Sequence, residues 1–196
     1  MKYRFTPIGL VLILLIQTAV IWTLLTKVAE MENRITGLEI YIDQTLRPTV
    51  AIRMLIAKTN PALSDNQRAT ITAAIMTSAR RHGLDPFLLA SVARRESGFW
   101  PNAVGRTNDY GLYQIQPATF IEVHPSGHIY DIWDNTEAAA RYLRYLLERF
   151  DWDLRLALAA YNCGPSRHPE RIIAISGRYA DVVLSWWQSS KEVYMI

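Results

Sequence analysis

The chain has 196 residues, half of them hydrophobic, with 21 Lys/Arg against 18 Asp/Glu and one cysteine. That length holds one domain of ordinary size plus an appendage, and a single cysteine excludes an internal disulfide framework. The net charge of +3 belongs to the first 60 residues, which carry seven Lys/Arg and four Asp/Glu; the rest is balanced at fourteen and fourteen, so the basic excess gives no argument for a nucleic-acid partner.

Residues 8–25, IGLVLILLIQTAVIWTLL, contain no charge. Eighteen such residues are near the lower limit for a helix that spans a bilayer. A cleaved signal peptide is the competing reading, but its apolar stretch is usually ~7–15 residues and ends at a small-residue site. Here Thr26-Lys27-Val28-Ala29-Glu30 offers no such site, so an uncleaved anchor is expected. Lys2 and Arg4 precede it, which leaves the amino terminus in the cytoplasm and the remainder outside.

Beyond the anchor, Val28, Met31, Ile35, Leu38 and Ile42 are spaced alternately three and four apart, and the register continues through Thr45 and Thr49 to Ile52 and Ile56. This is an a/d pattern, interrupted by Gly37 and by Pro48, which is expected to kink or end the helix. Two readings follow for residues 27–58: a self-associating stalk, or an amphipathic helix packed on its own domain. Thr59-Asn60-Pro61 is the expected boundary. The expected organisation is therefore a cytoplasmic tip and anchor over 1–26, a helical stalk or linker over 27–60, and a folded domain over 61–196.

Ser64-Asp65-Asn66-Gln67 has the form of a capping box, opening a helix that Arg81, His82 and Gly83 close, with Ile71, Ala74, Ile75 and Ser78 toward the core. Asp85-Pro86 then reads as an N-cap followed by a proline in the first helical position, and Gly98 as the stop. On this second helix Leu89, Val92, Ala93 and Glu96 fall at i, i+3, i+4 and i+7, so a carboxylate in the last turn shares the apolar stripe. Desolvation and the negative end of the helix dipole both disfavour its charged form, which makes Glu96 a candidate general acid. The competing reading turns it to solvent or pairs it with Arg94 or Arg95.

The loop over 100–110 is rich in Pro, Asn, Gly and Asp, and residues 111–117 have room for no more than a turn of helix. Residues 120–133 read as turn-like. His124 and His128 are separated there by Pro125 and Gly127, so no helix presents them as a metal-binding pair, and no metal site is expected. Residues 135–150 form the clearest amphipathic helix, burying Ala139, Tyr142, Leu143, Leu146 and Leu147. Residues 154–162 are apolar enough to run through the middle of the domain, and Gly164 and Pro165 end them after Tyr161 and Asn162. The last segment, 178–188, carries Tyr179, Val182, Val183 and Trp186; Trp186 and Trp187 are read as packing.

Three of these stretches carry a resemblance. Glu96-Ser97-Gly98-Phe99 with Pro101 and Ala103, then Gly111-Leu112-Tyr113-Gln114-Ile115-Gln116-Pro117, then Ala159-Ala160-Tyr161-Asn162-Cys163-Gly164-Pro165 resemble the lytic transglycosylases of the soluble type, relatives of goose-type lysozyme. The resemblance covers roughly residues 64–187. It implies a mainly α, lysozyme-like domain with little or no β, in which Glu96 is the catalytic residue. It further implies that Ser97, Gln114, Tyr161, Asn162 and Tyr179 serve the substrate, the tyrosine at 179 by a hydrogen bond near Glu96. Tyr113 and Gln116 stand where the family usually has methionines, which implies a more polar cleft wall.

The chemistry implied is cleavage of the β-1,4 bond between N-acetylmuramic acid and N-acetylglucosamine in peptidoglycan, without metal or cofactor. One glutamate protonates the glycosidic oxygen, the substrate's N-acetyl group assists, and the same glutamate then takes the proton of the 6-hydroxyl, leaving a 1,6-anhydro end. Two alternatives stay open: a hydrolytic muramidase in which Asp109 steers a water, and a wall-binding scaffold without catalysis. With the anchor, the expected place is the outer face of a bacterial inner membrane, or a phage-encoded equivalent. Wall turnover, a secretion or conjugation machine, and phage entry or exit are all compatible with it.

Overall fold

A computed structural model of the chain describes residues 6–194. Lys2 and Arg4, on which the expected orientation rests, lie outside the described residues. Contacts divide the chain into two compact units, one up to Gln44 and one from Thr45 onward.

The first unit is a single helix, α1 (Pro7–Tyr41), entered through Thr6, whose hydroxyl accepts from the Gly9 N–H at 3.3 Å, and Pro7 in the first turn. None of its residues is buried. The hydroxyls of Thr18, Thr23 and Thr26 donate back to the carbonyls of Leu15, Ala19 and Thr23, which satisfies them within the helix. By length and composition this helix is able to cross a membrane.

A wider π turn over Ile42–Leu46 follows, and α2 (Arg47–Thr59) continues from it with Pro48, which has no N–H to donate, in its first turn. Ala51, Ile52, Leu55 and Ile56 of α2 are buried in the domain core. The contacts therefore divide well before Asn60-Pro61, where the boundary is expected from sequence. Burial of the two isoleucines alone is worth about 3–6 kcal/mol, which draws α2 into the second unit. Of the long a/d stripe, the part on α2 packs on its own domain, while Val28, Met31, Ile35, Leu38 and Ile42 stay exposed.

The second unit continues with α3 (Asp65–His82), α4 (Pro86–Ser97), α5 (Pro117–Val123), α6 (Ile132–Arg149), α7 (Leu154–Cys163) and α8 (Pro169–Tyr194). Among the described residues there is no strand, only isolated bridges of Tyr110 to Val104 and to Ile115. The domain is thus mainly helical, as expected. Its principal packings are α7 on α8, α3 on α6, α4 on α8 and α6 on α7.

The caps explain where the helices begin and end. Ser64 and Gln67 exchange both bonds of a capping box, at 2.9 and 3.2 Å, and Gly83 closes α3 with φ +63°. α5 differs from the expected turn-like reading of 120–133: Pro117 at the first helical position starts a short helix that buries Phe120. α6 begins three residues earlier than expected, because the Asp131 carboxylate accepts from the N–H groups of Trp133 and Asp134 at 2.8 and 3.0 Å. α8 is much longer than the 178–188 segment and runs from Pro169 to Tyr194.

One polar cluster fastens α3 to α6. Buried Glu137 accepts from Ser78 at 3.1 Å and from Arg141 at 2.9 Å, and it meets His82 at 2.9 Å and Arg81 at 3.1 Å. Burial alone would raise its pKa, but these partners outweigh it and hold the carboxyl at about 2.

Candidate active site

The site is built from the end of α4 outward. Asp85 caps the helix by accepting from Phe87 N at 2.8 Å and Leu88 N at 3.4 Å, and every residue from Phe87 to Ala93 is buried. That burial fixes the rotation of the helix. Gly98, at φ +60°, ends it with a bond to the Arg94 carbonyl at 3.1 Å, so Glu96 sits in the last turn on the expected face.

Burial pushes the Glu96 carboxyl up to about 7; the hydrogen bond from Tyr179 and the charge of Arg95 pull it down, and the charge of Asp109 pushes it up again. Tyr179, from α8, donates to Glu96 Oε1 at 2.5 Å. Burial raises the Tyr179 and Tyr161 hydroxyls well above the usual tyrosine range, so both stay neutral donors. The arginines next to Glu96 are engaged elsewhere: Arg94 lies over the Trp186 ring at 4.0 Å and Arg95 over the Tyr179 ring at 5.5 Å.

Opposite α4, the segment from Gly111 to Gln116 is held by a side chain from another helix. Buried Asn135 accepts from the Tyr113 N–H at 2.8 Å and donates to the carbonyls of Ile129 at 2.8 Å and Tyr110 at 3.2 Å. Gly111 has φ +78°, and a Cβ there would lie 2.5 Å from the Asn135 amide nitrogen, so only glycine fits. Ser97 joins the two sides, donating to the Leu112 carbonyl at 2.6 Å and accepting from Trp100 N at 3.1 Å.

Between these walls lies a cleft of about 310 Å³, lined among others by Glu96, Thr107, Asp109, Gln114, Gln116, Thr119, Tyr142, Tyr161, Asn162 and Cys163. Four of the sequence-derived residues, Glu96, Gln114, Tyr161 and Asn162, meet here, from α4, the loop and α7. Gln114 has φ +48°, and its amide nitrogen donates to the carbonyls of Ala103 and Gly111 at 3.1 and 2.9 Å, so the side chain braces the loop as it lines the cleft. The Tyr161 hydroxyl donates to the Tyr113 carbonyl at 3.2 Å. Asn162 is exposed rather than buried, and its Oδ1 accepts from Ser176 at 2.9 Å, which turns the amide and leaves the NH₂ as the end that can meet a ligand.

Two expected residues do not line the cleft, although Tyr179 makes the hydrogen bond expected of it. Tyr179 lies behind Glu96 and bonds to it, outside the cleft lining, and Ser97 spends its hydroxyl on the chain itself. Tyr113 is fully buried, so the polar wall expected from it is absent, while Gln116 does line the cleft. Sequence reasoning missed Asn135, Tyr142 and Thr119. Asn135 looked like the start of a helix, and nothing in its spacing announced two bonds to a loop more than twenty residues earlier and a third to Ile129. His124 bonds Asp134 at 3.0 Å, which gives that histidine a structural partner.

The arrangement presents a carboxyl half protonated near neutrality beside amide and hydroxyl donors in an open groove, which suits proton transfer to an ether-like oxygen. The family model described as Transglycosylase SLT domain matches residues 73–177. The chain is 35% identical over 127 residues to Membrane-bound lytic murein transglycosylase F of Desulfosudis oleivorans, covering 61% of this chain and 27% of that protein. Among solved structures, lytic transglycosylase Slt of Pseudomonas aeruginosa, crystallised as an inactive mutant, superimposes with a TM-score of 0.54 at 23% identity, over 62% of this chain and 24% of that one. The 70 kDa soluble lytic transglycosylase of Escherichia coli gives 0.55 at 20% identity over the same shares. The chain thus spans about a quarter of the length of these relatives, and the two structures share its domain fold.

Proposed function

The chain belongs to the transglycosylase SLT domain family, and from that premise we propose that it is a membrane-anchored lytic transglycosylase of peptidoglycan. The observation that carries the reading is Glu96: a cleft carboxyl with a pKa of about 7, held at one oxygen by a neutral tyrosine. Protonated, Glu96 gives its proton to the oxygen between N-acetylmuramic acid and N-acetylglucosamine as the bond to C1 breaks. The substrate's own N-acetyl oxygen meets the positive charge at C1. Ionised, Glu96 then takes the proton of the 6-hydroxyl, whose oxygen closes on C1 and returns the acetamido group. The proton balance closes on one residue, no water is consumed, and the products are a free 4-hydroxyl and a 1,6-anhydro end.

Gln114, Tyr161 and Asn162 line the groove in which the saccharide would lie, Tyr179 holds the acid, and Ser97 holds the loop to α4. α1 supplies the tether, with the catalytic unit on the outer side of the membrane. A second reading, hydrolysis, draws support from one observation: Asp109 shares the cleft and its charge is felt by Glu96. Such a reaction requires two carboxyls flanking the bond. Asp109 is tied to Thr107 in its own loop, which favours a local structural role.

Mass spectrometry of digested sacculi separates the readings, because the anhydro end is lighter by one water. Wild-type protein is expected to release anhydro ends only, and Glu96→Gln to release none while still sedimenting with sacculi. Hydrated reducing ends would establish hydrolysis, and Glu96→Gln with full activity would move the acid elsewhere. Binding without release by the wild-type chain would leave a scaffold.

A further inference from the structure

The first unit carries a surface the catalytic reading does not use. Val28, Ile35 and Ile42 stand at successive a positions of α1 and its continuation, Met31 and Leu38 at the d positions between them, and all five are exposed. β-branched residues at a with leucine or methionine at d are the combination that favours two parallel strands. The flanking positions give a direction. Lys27 and Arg34 fall at g, Glu32 and Glu39 at e. In a parallel pair in register, each g residue faces the e residue five positions on in the partner, so Lys27 meets Glu32 and Arg34 meets Glu39. An antiparallel pair would set g against g and e against e, cation on cation and carboxylate on carboxylate.

A third observation lies inside the apolar span. Gln17 is two heptads before Met31 and hence on the same seam. It is the one amide between residues 8 and 25, and its side chain makes no hydrogen bond among the described residues, whereas the threonines of the helix are satisfied by their own backbone. In hydrocarbon an unpaired amide is costly, and glutamine is a residue that bonds across helices.

We infer that α1 pairs with α1 of a second copy, parallel and in register, along a seam from Gln17 to Ile42. The pairing stops there for a physical reason: the π turn shifts the register, and Ile52 and Ile56 are already buried in their own domain. The partner's matching charges select a copy of this chain over an unrelated helix.

Disulfide trapping of the full chain in membranes tests this, in a Cys163→Ala background with copper-phenanthroline as oxidant. Met31→Cys and Leu38→Cys, each alone, are expected to give at least about tenfold more dimer than Asn33→Cys or Ile40→Cys, whose f positions face apart beyond the ~7 Å reach of a disulfide. Adding Lys27→Glu and Arg34→Glu to Leu38→Cys is expected to lower its dimer by about tenfold, and further adding Glu32→Lys and Glu39→Lys to restore it. Equal trapping at d and f, no trapping at d, trapping only between mixed Met31→Cys and Leu38→Cys chains, or failure of the four-fold charge exchange to restore the dimer would each overturn the inference.

Discussion

Glu96 shows how one residue sets stability against function. Its carboxyl has a pKa of about 7 in the fold against 4.5 ordinarily. Between those values the folded chain holds the extra proton, so the stability it lends is complete below pH 4.5 and is lost as pH rises through about 7. Above that, keeping the buried charge costs about 3 kcal/mol. As a general acid the group must be protonated, so kcat/KM on purified glycan strands is expected to fall by about tenfold per pH unit above neutrality. Tyr179→Phe removes a donor that lowers the Glu96 pKa, so this alkaline limb is expected to move upward, by about one pH unit, while kcat drops. Asp109→Asn removes a charge that raises it, and the limb is expected to move slightly the other way with activity retained. A pH–rate profile checks both signs; a limb indifferent to Tyr179 would assign it to another group.

At the scale of elements, the cleft wall depends on α6 as much as on α4. Asn135→Ala removes three hydrogen bonds and leaves the buried Tyr113 N–H unpaired, for an expected loss of about 2–4 kcal/mol in urea unfolding. Because the same bonds shape the Gly111–Gln116 turn, glycan cleavage is expected to fall more steeply than the folded fraction. Loss of activity in step with unfolding would assign Asn135 to stability only. The helices themselves were legible, since Ser64 with Gln67, Asp85 with Pro86, Gly83 and Gly98 are local signals that act within one turn of the chain. So was Glu96, because its spacing from Leu89 and Val92 needs only one helix to be right. What escaped was non-local. The three bonds of Asn135, the ring of partners on Glu137 and the full burial of Tyr113 depend on which helix lies next to which, and periodicity holds no record of that. α5 escaped for a smaller reason: it is only seven residues long, and its second half falls in the stretch that read as turn-like.

For the whole molecule, the question was where the appendage ends and the domain starts. One a/d register ran across both, and sequence alone could not divide it, because an apolar stripe that meets a partner helix and one that meets a core look alike. The division falls at the π turn, where α2 commits its isoleucines inward. α1 then runs 35 residues without a break. In the proposed anchoring, where its apolar start spans the bilayer, Thr45 stands no more than about 30 Å of helix beyond residue 25, and a domain of this size adds about 40 Å. Whatever the angle between the two units, their two lengths together bound the reach: strands farther than about 70 Å from the hydrocarbon edge are out of range. Full-length protein in a supported bilayer is therefore expected to shave only the nearest layer of overlaid sacculi and then stall, whereas a version starting at Thr45 continues to the last strand. Complete clearance by the tethered form would mean that α1 leaves the bilayer.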